Sequence, residues 1–122
     1  MSVESVIQAR LAAQISGTTT RIYRGMAAQD AALPYVVWHR ITAERESAMG
    51  VDPGNVHAIF QFSSFGASPA AAKTCSDAVR VALQRYRSTP IEDIFVIDET
   101  ELFERDTQKY GHAIDLMVHY RE

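Results

Sequence analysis

The sequence has 122 residues, the size of one domain, so we expect residues 1–122 to fold as a single unit. Hydrophobic residues make up 47% and charged residues 22%, values near the globular average that exclude collagen-like, disordered and low-complexity chains. Twelve basic and fifteen acidic side chains leave a net charge of −3. No overall positive field is therefore present for sequence-independent binding of DNA.

Membrane insertion, secretion and disulfide bonding are also disfavoured by the sequence. Glu4 and Arg10 fall where a signal peptide needs its apolar centre, so we expect no secretion signal. The uncharged run 53–72 is long enough to span a bilayer, but it contains amides, a histidine, serines and a proline. Cys75 is the only cysteine, which excludes an intramolecular disulfide and a cysteine-based zinc site.

The first predicted elements are a helix and a short strand. Apolar residues at helical spacing, with Glu4 in the first turn and Gly17 just beyond the end, predict an amphipathic helix over 3–15. Residues 21–24 are typical of a short strand closed by Gly25. Residues 26–33 are alanine-rich and irregular, which indicates a loop. The apolar residues of the helix are Val3, Val6, Ile7, Leu11 and Ile15.

A long hairpin is predicted next. Residues 35–44 alternate as a strand does, and both faces are partly apolar, so we expect a central strand. The glycines and proline of 50–54 supply turn chemistry that reverses the chain into a second strand over 56–65. A turn near Gly50 would place His39 opposite about Phe62, far along the ladder from His57.

The second half of the chain predicts a helix and a closing hairpin. Ser68 and Pro69 supply an N-cap and a first-turn proline, and Pro90 ends the helical region. Two extended runs follow, 94–104 and 110–120. The apolar stripe of the helix is Ala72, Cys75, Val79, Leu83 and Tyr86. Together the elements predict an α+β fold with a largely antiparallel sheet of four to five strands and two helices on one face.

Signatures of catalysis and of cofactor binding are missing. The six glycines fit neither a dinucleotide-binding nor a P-loop spacing, and Ser63 and Ser64 lack the context of a nucleophile elbow. The histidines do not stand at the helical spacing that directs two imidazoles to one metal ion. The sequence therefore predicts no catalytic residue, no cofactor and no metal site. The four histidines are His39, His57, His112 and His119.

An acidic arm lies between residues 92 and 106. Seven acids meet a single base there, Arg105. Paired carboxylates could perform acid–base chemistry, but a solvated face that repels nucleic acid is the stronger interpretation because no pocket can be inferred.

The order of these elements resembles that of a known family. The matching features are the N-terminal amphipathic helix, the strand at Arg21-Ile-Tyr, Leu33-Pro-Tyr-Val-Val37, the helix containing Ser76-Asp-Ala-Val-Arg-Val-Ala-Leu83, and the final hairpin ending Val118-His-Tyr-Arg-Glu122. This pattern resembles the tail-completion, head-to-tail joining or tail-terminator proteins of long-tailed double-stranded DNA phages, prophages and gene transfer agents.

The resemblance implies a structural function. It implies a ring, commonly a hexamer, that caps the head-proximal end of the tail tube in the virion after synthesis in the bacterial cytoplasm. Its partners would be copies of itself, the tail tube protein and a head–tail connector protein, while DNA passes through without specific binding and no membrane is involved. The alternatives left open are a small α+β ligand-binding or enzymatic dimer that uses His39 or an acidic pair, and a generic protein-interaction module.

Two surfaces are candidates for contact. We expect the hairpin tip to contact a neighbouring subunit or the tail tube, through Arg45, Glu46, Met49, Val51 and Asp52. We expect the acidic arm to lie partly along the channel that DNA traverses, through Asp98, Glu99, Glu101 and Glu104.

Overall fold

The structure is a computed structural model that describes residues 2–15, 21–26, 33–45, 54–104 and 109–121. Two helices and five strands follow one another along the chain. They are α1 (Val3–Ile15), β1 (Arg21–Arg24), β2 (Tyr35–Arg45), β3 (Asn55–Gly66), α2 (Pro69–Leu83), β4 (Ile91–Glu104) and β5 (Lys109–Arg121). The strands form one sheet in the order β1-β2-β3-β5-β4. Only β1 and β2 are parallel, which confirms the predicted α+β fold with a largely antiparallel sheet.

Both helices pack on one face of this sheet. Their buried residues join one core with the inward residues of the strands, because alternate strand residues point to the same face. On β3, for example, burial alternates along the whole strand. The fully buried large side chains are Trp38, Tyr120, Phe60, Phe62, Ile7, Leu11, Leu83, Ile94, Ile114, Leu116, Val36 and Val56. Cys75 is buried in the same core, as its place on the apolar stripe of α2 predicts.

Polar contacts connect α1 to the sheet and to α2. The indole Nε1 of Trp38 donates to Oε1 of Gln8 at 2.9 Å, and Nε of Arg10 donates to the carbonyl oxygen of Ala82 at 2.9 Å. Glu4 forms an ion pair with Arg40 and lies 3.8 Å from Arg24. The N-terminal end of α1 is therefore held over β2 by both packing and charge.

Helix α2 begins as predicted and ends earlier. Its N-cap is Ser68, whose Oγ accepts a hydrogen bond from the backbone N–H of Ala71 at 3.1 Å, and Pro69 follows at the first helical position. The helix stops at Leu83, seven residues before Pro90, because Arg85 adopts a left-handed conformation with φ 62°. Residues 85–88 then run back against β4.

Removing this cap should destabilise the protein measurably. The S68A variant leaves the amide of Ala71 without its acceptor, and we expect the free energy of unfolding to fall by about 1 kcal/mol. Urea denaturation followed by circular dichroism measures this loss. The matched variant S68D keeps an acceptor at the N-cap and should remain close to wild type. Equal losses in the two variants would contradict a capping role.

Candidate assembly surfaces

One face of the sheet carries no described helix, and we call it the helix-free face. The strand register places on it those residues that alternate with the buried core positions. Its described members include Val37, His39 and Glu44 from β2, His57, Ile59, Gln61, Ser63 and Phe65 from β3, Asp93, Phe95, Asp98, Thr100 and Leu102 from β4, and Ala113, Asp115, Met117 and His119 from β5. Many of these residues are only half-buried, so the face is open to a partner or to solvent.

Two histidines meet on the central strands β3 and β5 of the helix-free face, near one end of both strands. His57 and His119 are cross-strand partners whose ring centroids lie 4.1 Å apart. The ring centroid of Phe95 lies 5.2 Å from that of His119. Burial lowers the pKa of His119 below its ordinary value of 6.5, and the charge of His57 lowers it further. The negative charges of Asp93 and Glu92 act in the opposite direction and raise the pKa of His119.

The lowered pKa of His119 predicts a pH-dependent stability. Because the folded protein binds this proton less readily than the unfolded chain, stability should fall as the pH drops through 6.5 toward the folded-state pKa. Urea denaturation between about pH 8 and about pH 5 measures the slope. The variant H119Q should reduce the dependence of the free energy of unfolding on pH. The control variant H39Q removes an exposed imidazole of β2 and shows whether the loss of any histidine has the same effect. An unchanged slope in H119Q would refute the prediction.

Carboxylates also occupy the helix-free face. Asp98 and Asp115 are cross-strand partners on it, and Oδ1 of Asp115 is buried with no hydrogen-bond partner among the described residues. Like charges directly opposite each other on a sheet repel. Two carboxylates therefore lie side by side on this part of the face.

The predicted acidic set is divided between the two faces of the sheet. Asp98 lies on the helix-free face, whereas Glu99 and Glu101 alternate with it on the opposite face of β4. Oε1 of Glu99 lies 3.8 Å from Nε2 of His112. Glu104 is the last residue of β4, and its side chain lies outside the described part of the structure. The described members therefore lie on two faces of the sheet, and the contact predicted for the acidic arm with the DNA channel remains a prediction.

The outer edge of β4 is covered over its first half. Ser88 and Ile91 exchange backbone hydrogen bonds of 3.2 and 2.6 Å, and the N–H of Arg85 donates to the carbonyl of Ile94 at 2.7 Å. Residues 85–88 therefore satisfy backbone groups that a neighbouring strand would otherwise use. A bulge between Val96 and Asp98 ends this half.

The second half of that edge is exposed. No described strand pairs with the outer side of residues 98–104, which we call the β4 outer edge. Its described side chains are all exposed, and they include the large apolar residues Leu102 (39%) and Phe103 (52%). Four of its seven residues are acidic. A strand edge with free backbone groups can pair with another chain.

A second exposed edge lies on the opposite side of the sheet. β1 pairs only with residues 35–38 of β2, and no described strand pairs with the outer side of residues 39–45, which we call the β2 outer edge. Every residue of this segment is exposed, including Ile41 (49%), which forms a bulge. The prediction of a central strand therefore holds for the first third of β2 alone.

The hairpin tip falls almost entirely outside the described residues. Glu46, Met49, Val51 and Asp52 are not described, and Arg45 is the last described residue before them. Arg45 is exposed and stands opposite Val56, so the two strands are paired up to the base of the tip. The contact predicted for the tip remains a prediction.

The cavities on the helical side of the described residues include one between the helices and one beside His112. An apolar groove of about 450 Å³ runs between the end of α1 and the start of α2 and is lined by Ile15, Pro34 and Cys75 among others. A second cavity of about 350 Å³ lies between α2 and the distal part of the β4–β5 hairpin, and the buried His112 lines it. Within the described ranges, no three histidine, cysteine or acidic residues are grouped to hold a metal ion. Neither described helix has the length and apolarity needed to cross a membrane.

Sequence reasoning missed the two outer edges. The polar composition of residues 39–45 could have indicated the β2 outer edge. A strand that has neighbours on both sides and a helix on one face usually keeps apolar residues at every second position, and this segment does not. The blocking of β4 by residues 85–88 had no such signal, since it depends on one left-handed residue, Arg85.

The fold is shared with a solved virion protein. The chain resembles one in the structure described as the virion of a native gene transfer agent particle, with a TM-score of 0.72 and 16% sequence identity. The match covers 99% of this chain and 96% of that chain. This likeness places the protein in a class of α+β domains that includes a component of an assembled particle.

The family follows from the sequence match. The family model described as Tail completion protein gp17 matches residues 5–121, so the chain belongs to this tail completion family. A search of curated proteins found no match. Membership confirms the resemblance drawn from the sequence and gives the chain a structural role in a phage-type tail and in virion assembly.

Proposed function

We propose that this chain caps the head-proximal end of a phage-type tail tube as a ring of identical subunits, ends tail polymerisation and forms the joint to the head. The observation that carries the proposal is the family match over residues 5–121. The ring is a hexamer whose other partners are the tail tube protein and a head–tail connector protein. It acts through its interfaces and breaks no covalent bonds.

The shape of the subunit supports a ring. A closed ring needs two different surfaces on each subunit, one for each neighbour. The β2 outer edge and the β4 outer edge lie on opposite sides of the sheet, as such surfaces must. Arginine supplies ten of the twelve basic residues, which suits carboxylate pairing between subunits.

The helix-free face supports a position along the DNA channel. Asp93, Asp98, Asp115 and Glu44 lie on it, and the described bases of β5 that share it, Lys109 and Arg121, lie at the two ends of that strand. Such a surface repels phosphates and lets a duplex pass without adhering. Replacing Asp98 by Lys should slow or block DNA delivery while particles still assemble; unchanged delivery would exclude a position on the channel.

Deletion of the gene tests the function as a whole. We expect electron microscopy to show tails of uncontrolled length, or filled heads separated from tails, and expression of the wild-type chain should restore joined particles. Normal particles in the deletion strain would overturn the proposal. The hairpin tip is tested in the same assay with the double variant M49D/V51D, and recovery of head-joined tails of normal length would exclude a contact at the tip.

A further inference from the structure

We infer that the β4 outer edge of one subunit pairs, as an antiparallel strand, with the β2 outer edge of a second copy, so that the sheet continues from subunit to subunit. The inference rests on the ring proposed above and names its interface. Each edge has seven residues, 98–104 and 39–45, and each is exposed along its described length.

The direction of the strands is correct for this pairing. Within one subunit β2 is antiparallel to β3, β3 to β5, and β5 to β4, so β4 runs antiparallel to β2. Rotation about a ring axis that lies along the sheet preserves the sense in which each strand runs along that axis. The β4 of one subunit therefore meets the β2 of the next in the antiparallel sense.

Backbone hydrogen bonds identify the groups that point outward from β4. The backbone groups of Ile91 and the carbonyl of Ile94 point outward, because residues 85–88 bind them. In an antiparallel ladder outward and inward residues alternate, and each bulge shifts the alternation by one. With the bulge at Ile97, the outward residues of the exposed half are Glu99, Glu101 and Phe103.

The same argument applied to β2 gives the register. The carbonyl of Trp38 points outward, because it accepts from the N–H of Gly25 at 2.8 Å. Alternation past the bulge at Ile41 makes Arg40, Ala43 and Arg45 the outward residues. Full overlap of the two edges then yields three pairs, Glu99 with Arg45, Glu101 with Ala43, and Phe103 with Arg40.

Charge supports this choice of partner. The β4 outer edge carries four acids and no base, whereas the β2 outer edge carries two arginines and one glutamate. The register places the carboxylate of Glu99 opposite the guanidinium of Arg45, and it brings Phe103, which is 52% exposed, beside the Arg40 side chain. Pairing of two β4 outer edges with each other would instead bring together two segments that each carry four acids and no base.

Disulfide cross-linking tests the pairing. In the proposed register Thr100 and Glu44 face each other on the helix-free face, at a non-hydrogen-bonded position where Cα atoms lie about 4.5 Å apart. Within one chain they belong to strands at the second and fifth positions of the sheet, about 14 Å apart, too far for a disulfide. Mild oxidation of T100C/E44C should therefore link copies and produce a ladder of oligomers that reduction abolishes.

The controls separate specific pairing from collision. The matched variant T100C/T74C places its second thiol on the exposed side of α2 and should give no ladder beyond dimers. Cys75 is buried and is retained in every variant. The oxidation is carried out both on the purified protein at high concentration and on assembled particles. A ladder in T100C/E44C and not in the control supports the pairing.

Three results would overturn the inference, and all three leave the proposed function standing. One is a T100C/E44C variant that forms particles with joined tails yet yields no linked copies. Another is T100C linked to a different virion protein. The third is an equal ladder in both variants. Failure of the proposed function is a separate result, since it is shown by normal particles in the deletion strain.

A charge swap provides an independent measurement. We expect E99R to weaken association of the subunits by up to about fivefold, because a cross-strand pair contributes up to about 1 kcal/mol. The double variant E99R/R45E restores opposite charges and should recover association. Loss without recovery would show that Glu99 and Arg45 are not opposed.

Discussion

The variant W38A is expected to lose about 3–5 kcal/mol of its free energy of unfolding, the largest loss that we predict for one substitution. Trp38 is fully buried, stacks on Phe62 with centroids 5.7 Å apart and lies 5.9 Å from Phe60. Its indole also donates to Gln8 of α1. Removal of the ring leaves a cavity and breaks the hydrogen bond from β2 to Gln8 of α1. The total free energy of unfolding of a domain is only about 5–15 kcal/mol.

Urea denaturation measures the loss of free energy of unfolding. Two further variants separate the contribution of the indole hydrogen bond from the general effect of shortening a side chain. W38F keeps an aromatic ring and removes the indole donor, so it should lose about 1–2 kcal/mol through the unsatisfied Oε1 of Gln8. V81A removes methyl groups from a side chain that is 70% exposed and should change stability little. A loss in W38A no larger than that in V81A would contradict this account of the core.

The variant G66A should cost about 2–3 kcal/mol by overpacking. A Cβ at Gly66 would lie 2.8 Å from the backbone nitrogen of Ala72 and 2.9 Å from Cβ of Ala71, in the first turn of α2. Backbone atoms cannot yield as a flexible side chain does, so the start of α2 must move away from β3. That movement also strains the cap that Ser68 provides to Ala71.

Gly111 provides the matched control. A Cβ there would approach side-chain atoms of Phe65 and Leu102 at 3.0–3.1 Å, and these can adjust more easily than a helix backbone. We therefore expect G111A to be clearly more stable than G66A in the same urea titration. The reverse order would show that α2 does not rest on β3 as closely as described.

Local signals in the sequence predicted most of the elements. The bounds of α1 agree with the prediction because its apolar residues keep a helical spacing from Val3 to Ile15. The predicted partner of His39 was about Phe62, and the observed partner is Gln61. The difference is one residue because the bulge at Ile41 shifts the register between the tip and His39, and an extra residue in a strand has no distinct signature in composition.

The candidate surfaces were harder to predict because they depend on which strands meet. The acids of residues 98–104 are evident in the sequence, but their division between two faces follows from the pairing of β4 with β5. Residues 39–45 are likewise exposed because the pairing of β1 with β2 ends at Trp38. This is a property of the sheet topology, and the local propensity of residues 39–45 does not determine it. Tertiary pairing therefore determines which residues are available for assembly.

The acidic composition of residues 98–104 has a consequence for the time before assembly. A long exposed strand would ordinarily promote aggregation as newly made copies accumulate. Mutual repulsion of the carboxylates opposes the pairing of two such segments at neutral pH, so the same residues protect this edge from pairing with its own copies.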